Sequence, residues 1–162
     1  MVQDGWQVTS GANDPATVDR LLRSLPEWFG IESSIVEYVE SAHRLPTYLA
    51  RPAGGGDPVG VLLAARHFPE SAEIHLMAVD RAWHRHGAGR ALVGALEVDL
   101  VADGVSLLQV KTLGPARPNA SYDLTRQFYR SLGFLPLEEI HELWPGNPCL
   151  VMVKPLSDPR AL

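Results

Sequence analysis

The chain has one cysteine, Cys149, among its 162 residues. No internal disulfide can form, and a reducing compartment is compatible. Cys149 sits in the apolar run that ends at Val153, where it reads as a buried small hydrophobe rather than a nucleophile. Lysine is scarce as well, with only Lys111 and Lys154. A formal net charge of −5 argues against a nucleic-acid partner, because a phosphate backbone requires clustered Lys and Arg. No apolar run approaches the length of a membrane span, so no membrane partner is expected. The opening MVQDGWQVTS lacks the basic and apolar regions of a signal peptide, and a cytoplasmic location is expected. Paired cysteines and His-x-x-x-His are missing too. His84 and His86 stand one residue apart, which is no ligand set, and no metal is expected. Repeats and composition breaks are absent. With 46% hydrophobic and 20% charged residues, residues 1–162 are read as a single domain with one core.

The most informative stretch runs from Glu73 to Leu96: an apolar strand, a loop of basic and aromatic residues, Gly87 and Gly89, then a helix. Ala88, Ala91, Leu92, Ala95 and Leu96 fall at the spacing of one helix face, which puts the glycines at a helix N-terminus. Unpaired N–H groups and the positive end of the helix dipole gather there, and glycine lets an anion approach the backbone. A diphosphate suits that cradle. Two other nucleotide sites are excluded by what the loop lacks. A dinucleotide turn needs a third glycine where Leu92 stands, and its glycines directly after the strand. A P-loop needs Gly-Lys-Ser/Thr, where this chain has Gly89-Arg90-Ala91.

The run His84-Arg85-His86-Gly87-Ala88-Gly89, after Met77-Ala78-Val79, resembles the Gln/Arg-x-x-Gly-x-Gly/Ala motif of the GNAT superfamily of acyl-CoA N-acyltransferases, with His84 in place of the commoner Gln or Arg. Downstream, Thr125 to Phe134 looks like the same family's helix with a tyrosine, Tyr129, followed by Gly133-Phe134. An asparagine usually precedes that tyrosine by seven residues; Tyr122 stands there, with Asn119 nearby. The resemblance implies an α/β (α+β) fold, a single mixed sheet flanked by helices and splayed after the Glu73 to Val79 strand to admit coenzyme A. It implies an N-acetyltransferase acting by direct transfer in a ternary complex, with acetyl-CoA as co-substrate and a small-molecule or peptide amine as acceptor. A non-catalytic acyl-CoA-binding or sensing domain is the alternative.

Acyl transfer needs a base for the amine, a stabilised oxyanion and an acid for the thiolate. Strand alternation places Glu73 and His75 on one face with Met77 and Val79. Resemblance to the histone-acetyltransferase branch makes Glu73 the general base, with His75 as the other candidate. Tyr129 is by resemblance the general acid. A backbone N–H near Met77 or Ala78 is expected at the carbonyl, and that of Val79 at the pantetheine arm. His84, Arg85, His86, Gly87, Ala88, Gly89 and Arg90 are expected at the phosphates, with Arg126 towards the 3′-phosphate. Trp28, Phe29 and Trp144, the last beside Glu138, Glu139 and Glu142, suit a cationic acceptor. Equally they suit a homodimer interface.

For local structure, Asp14-Pro15 starts a helix with Val18, Leu21, Leu22 and Leu25 as its stripe, stopped by Pro26. Ser33 or Ser34 is expected to cap a second helix through Val39. Strands are expected at Leu45 to Arg51, Val59 to Ala65, Glu73 to Val79, Ser106 to Leu113, Phe134 to Glu139 and Pro148 to Lys154. Helices are expected at Gly87 to about Val101 and around Thr125 to Leu132.

Overall fold

The computed structural model describes residues 2–3 and 5–156. In chain order it has β1 (Val2–Gln3), β2 (Trp6–Ser10), α1 (Pro15–Arg23), α2 (Glu32–Ser41), β3 (Thr47–Pro52), β4 (Gly60–Phe68), β5 (Ser71–Val79), a 3-10 turn (Arg81–Trp83), α3 (Ala88–Ala102), β6 (Leu107–Leu113), α4 (Ala120–Ser131), β7 (Leu135–Trp144) and β8 (Asn147–Pro155). This is the mixed α/β architecture expected, with both parallel and antiparallel pairing and, among the described residues, four α-helices. The chain forms two compact units, one from Met1–Ala65 and His75–Asp99, the other from Arg66–Ile74 and Leu100–Leu162.

In the first unit β2 pairs antiparallel with β3, from Trp6 opposite Pro52 to Ser10 opposite Tyr48. β3 in turn pairs with β4, from Thr47 opposite Leu63 to Ala50 opposite Gly60. The strand Trp6–Ser10 carries no signal in the sequence, because a short run such as WQVTS offers too little periodicity to stand out from a loop. α1 forms as expected. The Asp14 carboxylate accepts from the Thr17 backbone at 3.1 Å and from its hydroxyl at 2.6 Å, and Pro15 takes the first turn, where no N–H is needed. The helix ends at Arg23, before Pro26, with the Ser24 hydroxyl bonded to the Leu21 carbonyl at 2.7 Å. α2 departs from expectation. It begins at Glu32, with Ile31 at the cap position and no capping side chain. Ser33 and Ser34 lie inside its first turn, where the Glu32 charge suits the helix dipole.

Val18, Leu21 and Leu22 of α1, Leu25 just after it, Ile35 of α2, and Leu49, Val61, Leu63, Leu76 and Ala78 of the strands form one buried cluster. Trp28, Phe29, Tyr38, Val39 and Leu45 pack against it half-buried. α3 buries the residues its pattern foretold, Ala88, Ala91, Leu92, Ala95 and Leu96. The Tyr48 hydroxyl donates to Asp99 at 2.6 Å, tying β3 to the far end of this helix.

In the second unit the first half of β5 runs parallel to β6, from Ser71 opposite Leu107 to Ile74 opposite Val110. β6 pairs antiparallel with β8, and β8 with β7. β7 continues past Glu139 to Trp144, through two register shifts that let an irregular strand run on. Trp144 pairs with Asn147 across the turn between these strands, with Gly146 in the left-handed region. α4 starts at Ala120 rather than near Thr125, because the Asn119 side chain accepts from the Tyr122 backbone at 3.1 Å and caps it.

Candidate active site

The loop from Asp80 to Gly87 is built from the first unit's own residues. Asp80 accepts from Ala82 N–H through its carboxylate at 2.9 Å and from Trp83 N–H through its carbonyl at 2.9 Å, closing the 3-10 turn. Since a carbonyl only accepts, the 2.7 Å bond from His84 Nε2 to the Val79 carbonyl makes the imidazole the donor. His84 therefore ties the loop back to the strand it left, and its ring meets Trp28 edge-on at 5.5 Å. Trp6, 3% exposed, donates its indole N–H to the His86 carbonyl at 2.8 Å and packs on Trp83. Arg81 pairs with Glu27, holding that carboxyl below its usual range through the hydrogen bond. So the segment carrying Trp28 and Phe29 is fastened to the loop.

Two backbone conformations shape the cradle. Arg85 has a φ of 64°, the one left-handed non-glycine among the described residues, and Gly87 follows at 92°. The Gly87 carbonyl accepts the first helical bond, from Ala91 at 3.0 Å. Helix geometry then leaves the N–H groups of Ala88, Gly89 and Arg90 without an intrahelical acceptor. Arg85, His86 and Arg90 are exposed around them, while Ala88 is buried under the turn. The arrangement gathers N–H groups, the positive helix end and cationic side chains in one place, which is what an anion requires. On the second half of β5, Ala78 is buried in the core while Met77 and Val79 are half-buried. His75 is half-buried too, its ring edge-on to Tyr38 of α2 at 5.4 Å.

The second unit holds Glu73, Tyr129, Arg126 and Trp144. Glu73 is buried, 7% exposed, and both its oxygens are engaged. Oε1 meets His67 Nε2 at 2.7 Å and Oε2 accepts from Lys111 Nζ at 2.9 Å. Neither partner was found in the sequence, since His67 lies at the end of β4 and Lys111 on β6. Only the strand pairing discloses them. Cys149 is buried, and burial pushes its thiol up, against a smaller opposite pull from Lys111. A thiol so placed is a poor nucleophile, as its apolar setting suggested. Tyr129 is 4% exposed, with its ring edge-on to Phe128 and Phe134 at 5.2 and 5.4 Å. Arg126 donates to the Leu113 carbonyl at 2.6 Å and to Asp123 at 3.3 Å, joining α4 to the end of β6. Asn119 is occupied as the helix cap. Trp144 is half-buried at the β7–β8 turn. Among the described residues no cluster of three metal-ligating side chains occurs, and no helix is long and apolar enough to cross a membrane.

The family model for the acetyltransferase (GNAT) domain matches residues 46–136. The fold is similar to that of a protein assigned to the GNAT acetyltransferases from Desulfovibrio desulfuricans, at a TM-score of 0.80 and 17% identity over 94% of this chain and 99% of that one. It is also similar to the ribosomal-protein-S18-alanine N-acetyltransferase of Escherichia coli, at 0.71 and 19% over 94% and 96%. A GNAT family acetyltransferase from Elizabethkingia anophelis, with acetyl-CoA bound, scores 0.71 at 18% identity over 95% and 100%. Comparison of the sequence with the curated proteins returns no match.

Proposed function

The chain belongs to the GNAT acetyltransferase domain family, and we propose that the whole of it works as one such domain, moving an acetyl group from acetyl-CoA to an amine by direct attack in a ternary complex. The observation that carries this reading is the loop before α3, with its open N–H groups, the left-handed Arg85 and Gly87, and its exposed cations. The diphosphate of coenzyme A lies on the N–H groups of Ala88, Gly89 and Arg90, with Arg85 and His86 beside it. The Val79 N–H holds the pantetheine arm, and an N–H near Met77 or Ala78 polarises the thioester carbonyl. The Tyr129 hydroxyl supplies the proton to the departing thiolate. Glu73 serves the amine, and His75 is the other candidate for that task. Trp28, Phe29 and Trp144 are each candidate contacts of the acceptor, a small-molecule or peptide amine. His84 and Arg126 act through the carbonyls they hold, one shaping the loop, the other seating α4.

A second reading, an acyl-CoA-binding domain without transfer, is favoured by the burial of Tyr129 between two phenylalanines. Calorimetric titration with acetyl-CoA and with inorganic phosphate tests the cradle. An amine panel of polyamines, amino acids, aminoglycosides and peptide N-termini tests transfer. Binding of acetyl-CoA with transfer to some amine supports the first reading; binding without transfer supports the second. Gly89→Val is expected to weaken acetyl-CoA at least tenfold, about 1.4 kcal/mol, and unchanged affinity in a folded variant removes the cradle. Tyr129→Phe is expected to lower kcat roughly 10²-fold at nearly constant acetyl-CoA affinity. Unchanged kcat would reduce Tyr129 to packing.

A further inference from the structure

We infer that the group that takes the acceptor's proton is the imidazole of His67, with Glu73 as its positioning residue and Lys111 as the anchor of Glu73; this rests on the acyltransferase reading above. The inference starts from lone pairs. An ionised carboxylate only accepts, so the 2.7 Å contact between Glu73 Oε1 and His67 Nε2 requires the proton to sit on Nε2. The neutral ring is thereby fixed in one tautomer, with Nδ1 as its acceptor. The other carboxylate oxygen takes the Lys111 ammonium at 2.9 Å. Both oxygens of Glu73 are thus occupied, and its side chain is 9% exposed, whereas that of His67 is 43% exposed. An incoming amine meets imidazole before it meets carboxylate.

The dyad is also held in place. Pro69 and Glu70 alone separate β4 from β5. Arg66, next to His67, donates to the Phe68 carbonyl at 3.0 Å and the Pro69 carbonyl at 2.9 Å, and pairs with Asp103 at 3.0 Å. The Glu70 carbonyl accepts from the N–H groups of Ser106 at 2.8 Å and Leu107 at 3.0 Å. A base held on a braced hairpin needs little reorganisation when the amine arrives. In the step itself, Nδ1 takes one proton from the substrate ammonium. The freed amine lone pair forms the N–C bond to the thioester carbonyl, the C–S bond breaks, and its electron pair leaves on sulfur, which takes a proton from the Tyr129 hydroxyl to leave as coenzyme A; the second proton of the nitrogen is lost through solvent as the amide forms and restores the phenol. The imidazolium, facing solvent, passes its proton to water. The Glu73 carboxylate, held by Lys111, stabilises the imidazolium through the same contact.

Ring ¹⁵N NMR of the intact protein tests the tautomer and needs no acceptor. An Nε2–H ring at neutral His67 is expected, and an Nδ1–H ring overturns the dyad. Kinetics with the most reactive amine of the panel test the role. His67→Gln is expected to lower kcat about 10²-fold or more while acetyl-CoA binds within twofold of wild type, which also reports that the variant is folded. His67→Ala is expected to recover activity with added imidazole, a response that loss of a mere strut does not give. His67→Gln at wild-type kcat overturns the proposal and leaves Glu73 as the base. If the wild-type protein binds acetyl-CoA yet acetylates no amine, the acyltransferase reading fails and the role of His67 fails with it. An active wild type beside an unimpaired His67 variant overturns the dyad alone.

Discussion

A single indole hydrogen bond ties the loop before α3 to β2. Trp6 is almost wholly buried on β2, eighty residues away in sequence from the His86 carbonyl that it holds at 2.8 Å. Trp6→Phe keeps an aromatic ring there and removes the donor. A hydrogen bond of this kind contributes about 0.5–1.5 kcal/mol, so acetyl-CoA affinity is expected to fall roughly three- to tenfold with little loss of fold, read by calorimetry. Arg85 makes the complementary case. Its left-handed backbone costs an L-residue about 1–2 kcal/mol, a strain that glycine does not feel. Arg85→Gly is therefore expected to hold or raise the unfolding midpoint while acetyl-CoA binding weakens. Stability and affinity falling together would mean that the arginine supports the loop and does not serve the anion.

Among the elements, α3 was legible in the sequence because its apolar residues recur on one face, and α1 because Asp14-Pro15 is a local start signal. α2 was placed but its cap was misjudged, since two serines offer capping chemistry whether or not the backbone turns there. β2 was missed altogether. Its strand character depends on pairing with β3, forty residues on, which no local pattern records. The same pairing makes Tyr48 a joint between β3 and α3. Burial first, then the Asp99 carboxylate, pushes the Tyr48 hydroxyl above its ordinary 10.0. The sign follows from linkage: the unfolded chain ionises at lower pH than the folded one, so this contribution is whole below about pH 10 and is lost as pH rises beyond it. Tyr48→Phe is expected to cost about 1 kcal/mol at pH 8, because Asp99 is exposed and regains water. It is also expected to flatten the alkaline loss of stability, read from urea midpoints between about pH 8 and 11. An unchanged alkaline slope would put that loss elsewhere.

For the molecule as a whole, the cradle was readable as a contiguous string, Met77 to Arg90, whereas the surroundings of Glu73 were not, because His67 and Lys111 reach it from other strands. The acidic charge of the chain was readable too, and it sharpens the remaining question. A protein of net charge −5 repels an anionic ligand at long range, so binding must rest on cations gathered locally, and Arg85, His86 and Arg90 stand exposed at one helix end. Ligand bound only to the folded chain stabilises it by mass action, about 2.7 kcal/mol at one hundred times Kd. For a chain of this length each kcal/mol raises Tm by about 2–4 °C, so saturating acetyl-CoA is expected to raise Tm by roughly 5–11 °C. Inorganic phosphate at millimolar concentration is expected to raise it far less, since it lacks the pantetheine arm for which a contact on β5 is proposed. The acetyl-CoA shift should shrink as sodium chloride rises from about 0.05 to 0.5 M, because exposed cations are screened over that range. A shift as large with phosphate as with acetyl-CoA would make the loop a general anion site and remove the case for coenzyme A.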